Sequence, residues 1–313
     1  GYITAECVRL MVESGVLPDG AIQLISGSLG DVLDRLDYND HVAFTGSAAT
    51  AHALRSREAV QENGVHFTAE ADSLNAAILG PDAEPGTPEF EAYIKTLFVE
   101  QTVKAGQKCT AVRRAIVPQA LIGDVAEALQ AKLEEKIIVG DPRNEQTTMG
   151  PLVSEDQAQD VKEALEKLID AGGNVITGGP DTISGAFMAP TVLTFDDARA
   201  ERVHDTEAFG PVVSIIGYTS IDDAIELAAL GKGSLVASVI THDPETAVAF
   251  TRGIASHHGR LHFLDREDAK TSTGHGSPLP HLIHGGPGRA GGGEELGGVR
   301  AIKHYMHRTA IQG

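Results

Sequence analysis

His41-Val-Ala-Phe-Thr-Gly-Ser-Ala-Ala-Thr-Ala51 decides how this chain is read. A short run of strand character, His41 to Phe44, enters Thr45-Gly46-Ser47, and an alanine-rich helix follows to about Arg55. Strand, tight glycine turn and helix make the βα unit of a doubly wound α/β sheet. Gly46 lets the backbone come close to a ligand, Ser47 is placed to cap the helix, and a helix start attracts an anion. The turn is therefore a candidate phosphate cradle. It carries neither G-x-G-x-x-G nor G-K-[ST], so an ordinary helix cap explains the same residues.

Outward from this turn the alternation continues. Upstream, periodicity predicts a helix over Thr4–Gly15, a strand over Ala21–Ser26 and a helix over Leu29–Leu36. Downstream, Phe67–Asn75 reads as a strand-like run, Pro88–Val103 as a helix, Ala111–Val117 as a strand and Gln119–Glu135 as a helix. Ser154 is placed to cap a helix reaching Ala171; strands are predicted over Asn174–Thr177, Val212–Tyr218 and Ser234–Thr241. Gly185–Leu193 reads as extended, and helices fill Ile221–Leu230 and Glu245–Gly253. This renewed alternation implies a second α/β domain.

The chemistry concentrates in Lys104-Ala-Gly-Gln-Lys-Cys-Thr-Ala-Val-Arg-Arg114. Cys109 follows the turn at Gly106 and is flanked by Lys104, Lys108, Arg113 and Arg114. Nearby cations lower a thiol pKa, and the thiolate is the nucleophile. A single cysteine is otherwise a small buried apolar residue. Glu70 lies in the strand-like run ahead of it. Such a carboxylate is either part of a solvated edge or a general base, the second only if the fold brings it to Cys109.

Composition narrows the classes. The 313 residues are 42% hydrophobic with 35 Gly, 14 Pro and 4% aromatics, a soluble, turn-rich α/β profile. A net charge of −19 argues against nucleic acid as a partner. No run approaches the ~18 apolar residues of a membrane span. Cys7 and Cys109 make no disulfide framework, which fits a reducing, cytoplasmic setting. Residues 272–298 are rich in Gly, Pro and His; composition suggests a linker, while their number inside a compact domain suggests a functional loop. His281/His284 and His304/His307 share an x-x spacing, but no Cys or carboxylate set beside them completes a ligand shell. No metal is expected, and the loop histidines read as surface or substrate contacts.

Taken in order, these pieces resemble the aldehyde dehydrogenase superfamily over essentially the whole chain. The resemblance rests on Phe44-Thr-Gly-Ser47, Glu70, Gly106-Gln-Lys-Cys109, Gly140-Asp-Pro142, Gly150-Pro-Leu152, Pro190-Thr-Val-Leu193 and Glu207-x-Phe-Gly-Pro211. Glu70-Ala-Asp-Ser-Leu-Asn75, Ser272-Thr-Gly-His-Gly-Ser-Pro-Leu-Pro280, the block Gly285–Gly298 and His304-Tyr-Met306 resemble a narrower branch. That branch oxidises ring-cleavage CoA-thioester semialdehydes in phenylacetate or benzoate catabolism.

The resemblance implies a partial Rossmann-like cofactor domain in residues 1–72, an α/β catalytic domain in 73–300 and an oligomerisation strand in 301–313. It implies Cys109 as nucleophile and Glu70 as the base that activates water. It also implies Thr45, Gly46, Ser47, Glu207 and Phe209 around NADP or NAD, and a substrate loop with His275, Gly276 and His284. Further expectations are an NAD(P)-dependent enzyme acting on a CoA-thioester semialdehyde, a homo-oligomer, and fusion to a hot-dog hydratase domain in some relatives. A semialdehyde without CoA is the alternative substrate. The alternation also opens midway at Gly1, so a piece of a longer protein is expected; an inactive fragment is the remaining alternative.

Overall fold

The computed structural model describes residues 1–296 and 299–313, with backbone alone for Glu295, Leu296, Arg300 and Ala301. The chain falls into two compact units, Gly1–Val42 with His52–Phe67, and Ala43–Ala51 with Thr68–Gly313. No described helix is long and apolar enough to cross a membrane.

The first unit begins with α1 (Tyr2–Glu13), which buries none of its residues. The strand predicted over Ala21–Ser26 does not form, and the helix predicted over Leu29–Leu36 shrinks to a 3-10 turn at Val32–Arg35. A strand needs a ladder partner, and none is hydrogen-bonded to Ala21–Ser26 among the described residues. Apolar content alone therefore misleads there. α3 (Glu58–Glu62) also lies in the first unit, while β1 (His41–Thr45), α2 (Ala48–Arg55) and β2 (His66–Glu70) each run across the unit bounds; the two strands pair as a small sheet.

The second unit is built on β3 (Ala76–Leu79), α4 (Pro88–Thr102), β4 (Arg114–Pro118), α5 (Ile122–Lys136), α6 (Glu155–Asp170), β5 (Gly173–Thr177) and β6 (Thr191–Phe195). It continues with α7 (Glu201–Asp205), β7 (Val212–Tyr218), α8 (Ile221–Ala229), β8 (Ser234–Ile240), α9 (Pro244–Ile254) and β9 (His258–Leu264). The sheet order is β5-β6-β7-β4-β3-β8-β9, with every neighbouring pair parallel except β5 with β6. α4 and α5 cover one face with Phe90, Tyr93, Leu97, Val125 and Leu129; α6, α8 and α9 cover the other with Val161, Leu165, Leu227, Phe250 and Ile254. Central strands sealed on both faces are continuously apolar, and β7 and β8 are buried at every position.

The helices start where capping side chains stand. Thr87, Ser154 and Ser220 accept the N–H of Phe90, Gln157 and Asp223 at 3.2, 3.2 and 3.1 Å. After β9 the glycine-rich segment folds into an antiparallel hairpin, β10 (Ile283–Gly285) and β11 (Glu294–Leu296). A side chain at Gly259 would collide with the carbonyl of Gly285, so the hairpin lies against β9 only because that position is glycine. Gly297 and Gly298, the end of the block quoted from the sequence, lie outside the described residues. The expected strand over residues 301–313 is not present in the single chain: α10 (Val299–His304) is helical and 305–313 carry no regular element. A strand that serves oligomerisation takes its ladder partner from a second copy.

Candidate active site

Cys109 sits between α4 and β4 on a turn the backbone adopts at a cost. Lys104, Ala105 and Gly106 have φ of 55°, 51° and 68° in succession, and left-handed non-glycine residues cost roughly 1–2 kcal/mol each. A Cβ at Gly106 would meet the Gly210 carbonyl, so the turn packs directly on the segment after Glu207. Arg113, 5% exposed, clamps both sides: it donates to Gly210 O at 2.7 Å, Gly106 O at 3.0 Å and Lys108 O at 3.3 Å. Asn75 pins the cysteine itself. Its amide donates to the carbonyls of Cys109 (2.7 Å) and Ala111 (3.0 Å), while its oxygen accepts from Ser73 Oγ (2.6 Å) and Val236 N (3.1 Å).

The cations counted in the sequence act differently from expectation. Lys108 pairs with buried Glu100 at 2.7 Å, and Arg114 donates inward to the carbonyls of Leu74, Leu227 and Ala228. The Cys109 thiol is instead pushed up to about 12, first by burial and then by the hydrogen bond and charge of Glu70. The resting group is a thiol donating to a carboxylate.

Glu70 ends β2, 4% exposed, and its carbonyl accepts from Gly46 N at 3.1 Å. Its Oε2 lies 2.9 Å from His284 Nε2 on β10. A Glu70 oxygen, Cys109 Sγ and a His284 nitrogen lie within 4.8 Å of one another. Sequence spacing cannot show this convergence, because the three side chains come from separate elements of the chain.

Thr45, Gly46, Ser47, Glu70, Cys109, Glu207 and Phe209 line one cleft of about 930 Å³. At the start of α2, Ser47 Oγ accepts from Thr50 N at 3.1 Å, while Ala48 N donates to Asp72 Oδ1 at 2.9 Å. Asp72 in turn lies 3.7 Å from Arg289. Burial pushes the Glu207 carboxyl up to about 7, against the pull of Arg113, whose Nε is 3.8 Å away. The Arg113 guanidinium also stands over the Phe209 ring, 5.3 Å from its centroid.

The substrate-loop residues divide. His284 reaches Glu70, and the Gly276 carbonyl accepts from Thr110 Oγ1 at 3.4 Å, beside Cys109. His275 is turned inward, 2% exposed, its Nδ1 2.7 Å from Ser238 Oγ, and burial holds its pKa well below the usual value. The imidazole packs into the core and not toward solvent, and composition alone gives no sign of that placement. Asn75 and Asp72 are not among the site residues read from the sequence, and Arg113 enters there only as a cation near the thiol. A signal existed for two of them, since Asp72 and Asn75 close the run that begins at Glu70.

The sequence matches the aldehyde dehydrogenase family over residues 2–311. The chain belongs to that family. It is 42% identical over 294 residues to the 3,4-dehydroadipyl-CoA semialdehyde dehydrogenase of Aromatoleum evansii, covering 91% of this chain and 57% of that one. It is 51% identical over 168 residues to Protein MaoC of Klebsiella aerogenes, covering 53% of this chain and 50% of that protein. The betaine aldehyde dehydrogenase of Staphylococcus aureus, solved with NAD+, superposes with a TM-score of 0.82 at 25% identity, over 96% of this chain and 58% of that one. The fold is the aldehyde dehydrogenase fold, and this chain spans little more than half the length of the Aromatoleum and Staphylococcus relatives.

Proposed function

We propose that this family member carries the nucleophile and the base of an NAD(P)-dependent oxidation of a ring-cleavage CoA-thioester semialdehyde to its acid. One observation carries the reading: Cys109 and Glu70 converge in the same cleft that holds the Gly46–Ser47 helix start and the Glu207-x-Phe209 segment. The CoA-thioester class follows from the likeness to the Aromatoleum enzyme. Residues 1–72 are read as the later part of the cofactor domain, 73–300 as the catalytic domain, and 301–313 as a segment used between copies of a homo-oligomer.

The residues present fit a dinucleotide. Lys167, Arg202 and Arg289 line the same cleft as the α2 start, together with Asp72, Asp160, Glu163 and Asp205, and would supply positive charge for a pyrophosphate. Gly46 and Ser47 would hold that group, sharing the helix start with Asp72, and Thr45 lies alongside. Glu207 would accept from ribose hydroxyls, and Phe209 would pack beside the nicotinamide ring. When bound, the nicotinamide supplies the acceptor for the hydride that leaves the substrate carbon.

The chain's own groups do the rest. Glu70 is hydrogen-bonded to the thiol and takes its proton as Sγ attacks the aldehyde carbon, so the pair never needs a free thiolate. The Cys109 N–H would serve as a donor to the oxyanion of the resulting thiohemiacetal. After hydride loss the carbon is a thioester on Cys109. Glu70, its proton released, then deprotonates a water that attacks the thioester, freeing acid and thiol.

The test is NADP or NAD reduction with a medium-chain semialdehyde and with its CoA thioester. A higher kcat/KM for the thioester is expected, and equal values would remove the CoA assignment. Cys109→Ala should abolish the reduction. Glu70→Gln should slow acyl formation on Cys109, and the acyl group that does form should persist, seen as a mass increase on the intact chain; steady turnover by this variant would overturn the general-base role.

A further inference from the structure

We propose that Cys109, Glu70 and His284 form a zinc site, and that zinc bound there switches the nucleophile off. That the metal binds rests on the donor geometry; that it inhibits rests on the role proposed for Cys109.

The donor set is one thiolate, one imidazole and one carboxylate from three separate elements, within 4.8 Å of one another. Thiolate and imidazole select zinc over magnesium or calcium, which require shells of oxygen. Bonds of about 2.0–2.3 Å to a tetrahedral ion place its ligand atoms roughly 3.3–3.8 Å apart. Glu70 Oε2 and His284 Nε2 are now 2.9 Å apart and would separate slightly, while no other pair, all being within 4.8 Å, would have to close by more than roughly 1.5 Å. Side-chain rotation supplies shifts of this size. Three protein ligands leave the fourth position to a water from the cleft that Cys109 and Glu70 line.

Charge also balances. Thiolate and carboxylate together neutralise a divalent ion, which matters beside the buried guanidinium of Arg113, a charge that already interacts with Cys109. The thiol proton leaves to solvent as the S–Zn bond forms. The His284 proton moves from Nε2 to Nδ1, so the ring stays neutral. The ion thereby replaces the thiol–Glu70 hydrogen bond. Metal and aldehyde compete for the same sulfur, and neither redox change nor co-reactant is involved.

The experiment reads metal directly on the full chain, with no substrate present. Metal-free protein is titrated with zinc by calorimetry, and with cobalt(II) by absorption. One ion bound through Cys109 is expected, with release of the thiol proton, a thiolate-to-cobalt charge-transfer band and the strong visible bands of a tetrahedral ion. Cys109→Ser should remove the charge-transfer band, and His284→Gln should weaken zinc binding at least tenfold while circular dichroism shows the fold retained. Cys7→Ser, a change at the exposed cysteine, should alter nothing. Zinc binding unaffected by Cys109→Ser and His284→Gln, or a weak octahedral cobalt spectrum, would overturn the site. Tight zinc binding with undiminished turnover would overturn only the inhibition.

Discussion

Glu207 is a carboxylate that its surroundings hold near the midpoint of its titration at neutral pH. Burial raises it from an ordinary 4.5 to about 7, while Arg113 pulls it down without cancelling the shift. A ribose hydroxyl is bound by the ionised form. Affinity for the cofactor should therefore rise as pH climbs through about 7 and level off above it; Glu207→Gln should bind more weakly and without that dependence. Fluorescence titration of NAD(P)H between about pH 5.5 and 9 checks this, and an unchanged profile in the variant would remove Glu207 from cofactor binding. Stability runs the other way. With its folded pKa raised, Glu207 contributes most below about 4.5, and that contribution is lost as pH rises through about 7. The charge that would hold the cofactor is thus one that folding disfavours.

Among the elements, α4 matters most, because its last turn leads into the left-handed run that presents Cys109. Its first turn is tied down by Glu89, 1% exposed, which accepts from Arg266 N (2.9 Å), Nε (2.9 Å) and Nη2 (2.7 Å). The bond to Arg266 is the main cause that lowers Glu89 from 4.5 to about 2. A depressed pKa stabilises above the ordinary value and ceases to do so as pH falls towards the folded one. Arg266 is 42% exposed, which screens the pair, so Glu89→Gln should cost about 1–2 kcal/mol at pH 7. Urea titrations should show that cost shrinking near pH 3, and an equal loss at both pH values would mean that packing, not charge, holds α4. Such elements were also the legible part of the sequence. Caps at Thr87, Ser154 and Ser220 mark real helix starts, and Val212–Tyr218 is a strand at the predicted bounds. β3 is too short to show a pattern, and β9 hides its pattern behind two histidines, an arginine and a glycine. The left-handed backbone at Lys104 and Ala105 has no signal, since both residues favour helices, and the meeting of His284 with Glu70 depends on a hairpin that composition reads as a linker.

At the scale of the molecule, the two units differ in how much they enclose. In the first, Leu33, Val60 and Val65 are the buried apolar side chains among the described residues, and α1 leaves Tyr2, Ile3, Leu10, Met11 and Val12 exposed. In the second, β3, β4, β7 and β8 run through a core closed on both faces. Local opening costs little where few apolar contacts are broken. Amides of α1 and of residues 14–40 should therefore exchange with deuterium orders of magnitude faster than those of β3, β4, β7 and β8. The functional consequence depends on one detail of the partition. Ala43–Ala51, with the Gly46–Ser47 turn, clusters with the second unit and not with the residues on either side. Opening of the first unit should then leave the helix start, Cys109, Glu70 and Glu207 in one protected body. Mass-resolved exchange should show the amide of Ala51, in the N-terminal half of α2, protected more strongly than those of Gln61–Asn63. Uniform protection across both units would show a single cooperative fold, and equal, rapid exchange in α2 and α3 would show that the phosphate turn opens with its sequence neighbours.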